Sequence, residues 1–148
     1  MTAPALPAAL RACAAGIYTA EAGVGLLIAN GTFLHRDDFT SRFISYATIL
    51  ADGTATMAAI DWPAAIAALD VGELPCSGGE QRILRLAASL AGGIPVSLSD
   101  AITGLDRGNL SHLLTAIRHA SGERGTRNAL TGQILVQRRL PPAAGGLR

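Results

Sequence analysis

Apolar positions recur at three- and four-residue spacing along most of the chain, the signature of helices with one buried face. Residues 4–15 are Ala-rich and read as a first helix. A second is expected over about Thr19–Ala29, with Thr19 as its cap, Glu21 in its positive first turn and Asn30-Gly31 as a left-handed stop. Leu26, Leu27 and Ile28 would face the core. The helical rhythm then lapses. Phe43–Leu50 is rich in aromatic and β-branched residues, Asp52-Gly53 offers turn chemistry, and Thr54–Ile60 returns, so a β-hairpin is predicted. Helical spacing resumes at Asp61-Trp62-Pro63. Asp61 can cap this helix, Pro63 sits where no amide is needed, Ala65, Ile66 and Leu69 follow, and Gly72 ends it. Ser77 and Glu80 have the spacing of a capping box, ahead of the stripe Ile83, Leu86, Ala87 and Leu90. Gly92-Gly93 stops that helix. Ser97, with Asp100 three residues on, begins a short helix ending near Gly104. Asp106 caps a last helix to about Ala120, with Leu110, Leu113, Leu114 and Ile117 expected inward.

These elements predict a mainly α (α+β) fold: a compact helical bundle with one β-hairpin near 43–60. The expected organisation is one helical domain over 1–122 and a flexible basic tail over 123–148. The tail carries Arg124, Arg127, Arg138, Arg139 and Arg148 against Glu123, whereas the preceding 122 residues hold seven Arg and ten acids.

Composition sharpens this. Of the 148 residues, 49% are hydrophobic, and only three Phe, two Tyr and one Trp are among them. Small side chains let helix axes approach closely. Every basic residue is Arg, for which a high-G+C genome is the simplest cause. The absence of Lys excludes Schiff-base chemistry and a lysine on a nucleotide phosphate. A formal net charge of +1 gives no global field for nucleic acid. Cys13 and Cys76 form no CxxC or Cys/His cluster and read as two buried, reduced thiols. Cys76 also lies beside a helix start, which would favour its thiolate; burial against Leu74-Pro75 is the competing reading. The most apolar window, Ala14–Ala29, is broken by Thr19, Glu21 and glycines, so a cytoplasmic protein with no membrane segment is expected.

Candidate chemistry concentrates in the second half. Residues 77–91, SGGEQRILRLAASLA, resemble the signature loop and helix of ABC-type ATPases, and VSLSDAITGLD at 96–106 resembles their Walker B strand and the loop after it. The catalytic parts are missing. A P-loop needs a Lys, Ala101 stands where the family places a Glu, and Ile102 stands in place of its Pro. An intact ATPase is therefore excluded. What stays open is an anion at the helix start, held by the amides of Ser77, Gly78 and Gly79.

The same region, as helix, break, short helix, tight turn and longer helix, is similar to winged-helix transcription regulators. That resemblance implies a recognition helix over Asp106–Ala120, with Arg107, Asn109, Ser111, His112 and Arg118 toward DNA. The hairpin precedes these helices, where a wing would follow them, and Asp106 would face phosphate. Through LHRDDFTSRFI, AAIDW, LPCSGGEQRILRLAASLAGGIPVSL and DAITGLD the chain also resembles a group of small, uncharacterised proteins of high-G+C bacteria, which implies no activity.

Smaller features read structurally. His35, Arg36, Asp37 and Asp38 suit a surface turn with a helix-capping Asp better than an acid/base pair or metal ligands. His112 and His119 share a helix face about 10 Å apart and cannot hold one metal unaided. Arg82 and Arg85 form a short basic stripe. The function expected is that of a non-enzymatic interaction or accessory protein without a cofactor. Its partner is a protein or a second copy, with DNA contact through the C-terminal helices and tail as a further candidate. The alternatives are a helix-turn-helix regulator and a small-ligand or anion binder at Ser77–Gly79. An interaction protein predicts an exposed apolar patch.

Overall fold

The computed structural model describes residues 5–48 and 56–123. The protein is mainly α-helical with one small antiparallel hairpin. The helices are α1 (Ala5–Ala14), α2 (Tyr18–Asn30), α3 (Asp37–Phe43), α4 (Trp62–Asp70), α5 (Gly78–Gly92), α6 (Leu98–Ile102) and α7 (Arg107–Ala120), and the strands are β1 (Ile44–Thr48) and β2 (Thr56–Ile60). The expected turn at Asp52-Gly53 and the tail from Arg124 onward lie outside the described residues.

The centre of the fold is α2. It packs against α5 and α7, with α1 alongside. Ala22, Gly23, Val24, Leu26 and Leu27 are buried, covering most of its circumference rather than one stripe. The close approach to α5 depends on Gly23: a Cβ there would lie 2.6 Å from both the Ala87 carbonyl oxygen and the Ala91 Cβ. Its start differs from expectation. Thr19 lies inside the helix, and Ile17 at the N-cap makes no side-chain cap bond. Glu21 reaches back instead, its carboxylate accepting the Gly16 amide at 2.8 Å. The stop is as expected, with Gly31 left-handed and its amide bonded to the Leu27 carbonyl.

α3 takes in Asp37 and Asp38, expected in a turn with a helix-capping Asp, and Phe43, expected to open the first strand. Phe33, Phe39 and Phe43 explain it. They form a buried row with ring centroids 5.2 and 5.3 Å apart, and helical spacing brings Phe39 and Phe43 onto one face. Asp37 and Asp38 fall in the first turn of α3, where they suit the helix dipole; neither is the N-cap, which is Arg36. β1 pairs with β2 from Ile44↔Ile60 to Thr48↔Thr56, and α1 packs on β2.

The caps at α4, α5 and α7 form as the spacing predicts. Asp61 accepts the Ala64 amide at 3.1 Å. The Ser77 hydroxyl accepts the Glu80 amide at 3.1 Å while the Glu80 carboxylate accepts the Ser77 amide at 2.9 Å. Asp106 accepts the Asn109 amide at 2.7 Å. Ser97 departs from the pattern: it precedes α6 but makes no side-chain cap bond, its hydroxyl lying 3.4 Å from that of Ser99. The residues with Walker B rhythm thus enter a short helix rather than a strand.

Two burial expectations are overturned. Cys13 is exposed and Cys76 only partly buried. On α7 only Leu113 and Ala116 are buried; Leu110, Leu114 and Ile117 are 40%, 52% and 44% exposed. The four apolar positions fall within about 100° of arc, but the buried face centres between Leu113 and Ala116, so only one edge of the stripe is covered.

Candidate functional site

α7 is anchored through its inner face. Leu113 and Ala116 pack in the core, the Asn30 side-chain amide donates to Asn109 Oδ1 at 3.0 Å, and His119 Nε2 meets a Glu21 carboxylate oxygen at 2.6 Å. Its orientation is therefore set at both ends, which fixes what it turns outward. Leu110, Leu114 and Ile117, at i, i+4 and i+7, form one row about 10 Å long. Arg107 lies one turn before Leu110, and Arg118 one turn after Leu114. Arg107 has no ion-pair partner among the described residues, and Arg118 Nε is 3.8 Å from Glu123. On the preceding helix Leu98 and Ile102 are also exposed.

The residues expected to face DNA therefore separate. Arg107, Ser111 and Arg118 turn outward. Asn109 is half-buried and committed: its carbonyl oxygen is taken by Asn30 and its amide nitrogen donates to Asp106 at 3.2 Å. His112 is half-buried and turns toward α1 and α2. A base contact from Asn109 would require two local hydrogen bonds to break. Apolar spacing alone predicts burial of all four positions and so does not reveal the exposed row, which lies between Arg107 and Arg118.

Ser77, Gly78 and Gly79 do form a helix start, but it is supplied with a carboxylate from within. Glu80 caps the Ser77 amide, and the Arg82 guanidinium lies against Gly78. A cleft of about 330 Å³ opens beside it, lined by Gly78, Gln81, Arg82, Arg85, Ser97 and Asp100. Both arginines there have partners: Arg85 pairs with Asp70 at 2.7 Å, and Arg82 Nε donates to the Asp100 carbonyl at 3.3 Å. Cys76, at the same end of α5, is not activated. Burial pushes its thiol up, the Glu80 carboxylate pushes it further, and Arg36 and Arg85 only offset this.

The His35–Asp38 cluster joins segments rather than facing a cavity. His35 Nδ1 bonds the Gly31 carbonyl at 2.6 Å. Arg36 forks onto Asp38 at 2.6 and 2.9 Å and donates to the Pro75 carbonyl at 2.6 Å, tying the start of α3 to the approach to α5. Its hydrogen bond to Arg36 holds the Asp38 carboxyl below its ordinary value. Among the described residues no group of three or more His, Cys, Asp or Glu is placed to hold a metal ion, and no helix is long and apolar enough to cross a membrane. Among known proteins, no family model, curated protein or solved structure matches the chain.

Proposed function

We propose that the protein is a non-enzymatic interaction module whose α7 receives an apolar helix of a protein partner. The observation that carries this is the row Leu110, Leu114 and Ile117, exposed on a helix whose adjoining face is locked by packing and two polar contacts. Apolar rows at this spacing match the way one amphipathic helix lies on another. Arg107 and Arg118 at its border favour a partner carrying acids beside its apolar residues. The outward apolar row also disfavours a phosphate backbone as the occupant, since duplex binding draws on basic and polar groups.

The test is site-specific photo-crosslinking in cells of the source type, with the photoreactive residue at Leu114 and, as control, at Val71, which is 68% exposed on α4's C-cap. The expected product is a crosslink at Leu114 only, to a segment with apolar residues at three- and four-residue spacing flanked by acids. Leu110→Asp, with the photoreactive residue kept at Leu114, should abolish that product without lowering the melting temperature. Crosslinks equal at both positions, or nucleic acid in the Leu114 product, would overturn the reading.

A further inference from the structure

A second feature of α7 points elsewhere. Its flank turned toward α1 lines a cleft of about 290 Å³ whose floor is α2. Three side chains capable of positive charge line it: Arg11 from α1, and His112 and His119 from α7. Seven residues of helix separate the two histidines, so they mark positions about 10 Å apart along the cleft. Neither Arg11 nor His112 has a hydrogen bond or ion pair among the described residues. His119 is held by Glu21, whose carboxylate also accepts the Gly16 amide, and its ring stands edge-on to Tyr18 with centroids 5.8 Å apart. The Glu21 carboxylate thus already faces an imidazole and an amide.

Gly25 supplies an independent observation. It lies mid-helix on the cleft floor, where glycine weakens a helix relative to alanine. Packing does not require it: a Cβ at Gly25 would meet nothing within 4 Å, in contrast to Gly23 one face away. The missing side chain leaves room on the cleft floor. Small residues Ala22 and Ala29 continue the floor on either side.

We infer that this cleft binds a small organic or inorganic oxyanion, a carboxylate or a phosphate, held by the Arg11 guanidinium and the His112 imidazole over Gly25. Arg11 offers the planar fork that matches both anions, and His112 an N–H donor. The Glu21–His119 pair forms the end wall. The volume admits a ligand of a few heavy atoms beyond the anionic group, at the lower limit of ordinary ligand pockets. The inference rests on a different face of α7 from the partner row and stands without it.

The experiment is amide NMR on the full-length, nitrogen-labelled protein at constant ionic strength, titrated with inorganic phosphate, with succinate and with neutral 1,4-butanediol. Saturable shifts centred on Arg11, Gly25 and His112 are expected with at least one anion and none with the diol; the stronger anion identifies the source. Arg11→Gln should weaken binding about tenfold, the loss of one charge-assisted contact. Gly25→Ala should weaken binding while raising the melting temperature, which separates a blocked cleft from a damaged fold. Absence of saturable shifts with both anions, equal response to the diol, or unchanged affinity in both variants would overturn the inference.

Discussion

Gly23 and Gly25 sit two residues apart on one helix and serve opposite ends. Gly23 permits contact with α5, and an added methyl would press on backbone at 2.6 Å, which cannot give way cheaply. Gly23→Ala should cost about 1–3 kcal/mol as overpacking, whereas Gly25→Ala should gain about 0.5–1 kcal/mol from helix propensity. Thermal denaturation of the two variants reads both signs. The cysteines divide in a similar way. Cys13 is exposed, while burial and Glu80 hold the Cys76 thiol up. A thiol reagent at neutral pH should label Cys13 in a fast phase and Cys76 in a slow one that quickens as pH rises. Cys13→Ser should remove the fast phase alone. Arg36 is a third such residue. Because Asp38's folded value is depressed, its contribution is present above its unfolded value and is lost as pH falls through the folded one. Arg36→Gln should remove the bond to Pro75, costing about 1 kcal/mol at neutral pH, and should flatten this part of the acid limb in pH-dependent melting.

At the level of elements, local chemistry was the most legible in the sequence. The Ser77–Glu80 box closes through bonds spanning three residues, so spacing alone announces it. Ser77→Ala should cost about 1 kcal/mol, measured by denaturant unfolding, and should fray the first turn of α5. Asp61 and Asp106 were legible for the same reason. Ser97 has the same spacing to Asp100 but lacks the cap bond; its hydroxyl lies 3.4 Å from that of Ser99. α3 was hidden: Phe39 and Phe43 carry strand-like propensity, and their helical state follows from the buried row they form with Phe33. The outward row of α7 was hidden too. Periodicity shows that apolar residues favour one side, not how much of that side a neighbour covers. The cleft was further from reach, since Glu21 and His119 meet across 98 positions of sequence.

For the whole molecule, the division of α7 into a buried and an exposed apolar edge makes a sharp contrast. Leu113→Ala removes a side chain from the core and should cost about 2–5 kcal/mol. Leu114→Gln touches none of the buried core and should shift stability by no more than about 0.5 kcal/mol in either direction. Chemical denaturation of the two variants under one set of conditions tests whether the row belongs to the fold or to an occupant. The charge pattern follows the same division. The first 122 residues hold more acid than base, yet the outward side of α7 carries Arg107 and Arg118. An acidic partner is drawn to that side and not to the surface as a whole.

The central position of α2 also bears on how the protein comes to exist. Its buried circumference is closed by α5 and α7, and its Glu21 finds His119 only at the far end of the last described helix. During synthesis, about 90 residues must follow Asn30 before that cover is available. At elongation rates of about 5–20 residues per second this is an interval of about 5–18 s. Through it, Leu26 and Leu27 travel on the ribosome as incompletely covered apolar surface, a span in which a chaperone has something to hold and a stalled chain something to stick with.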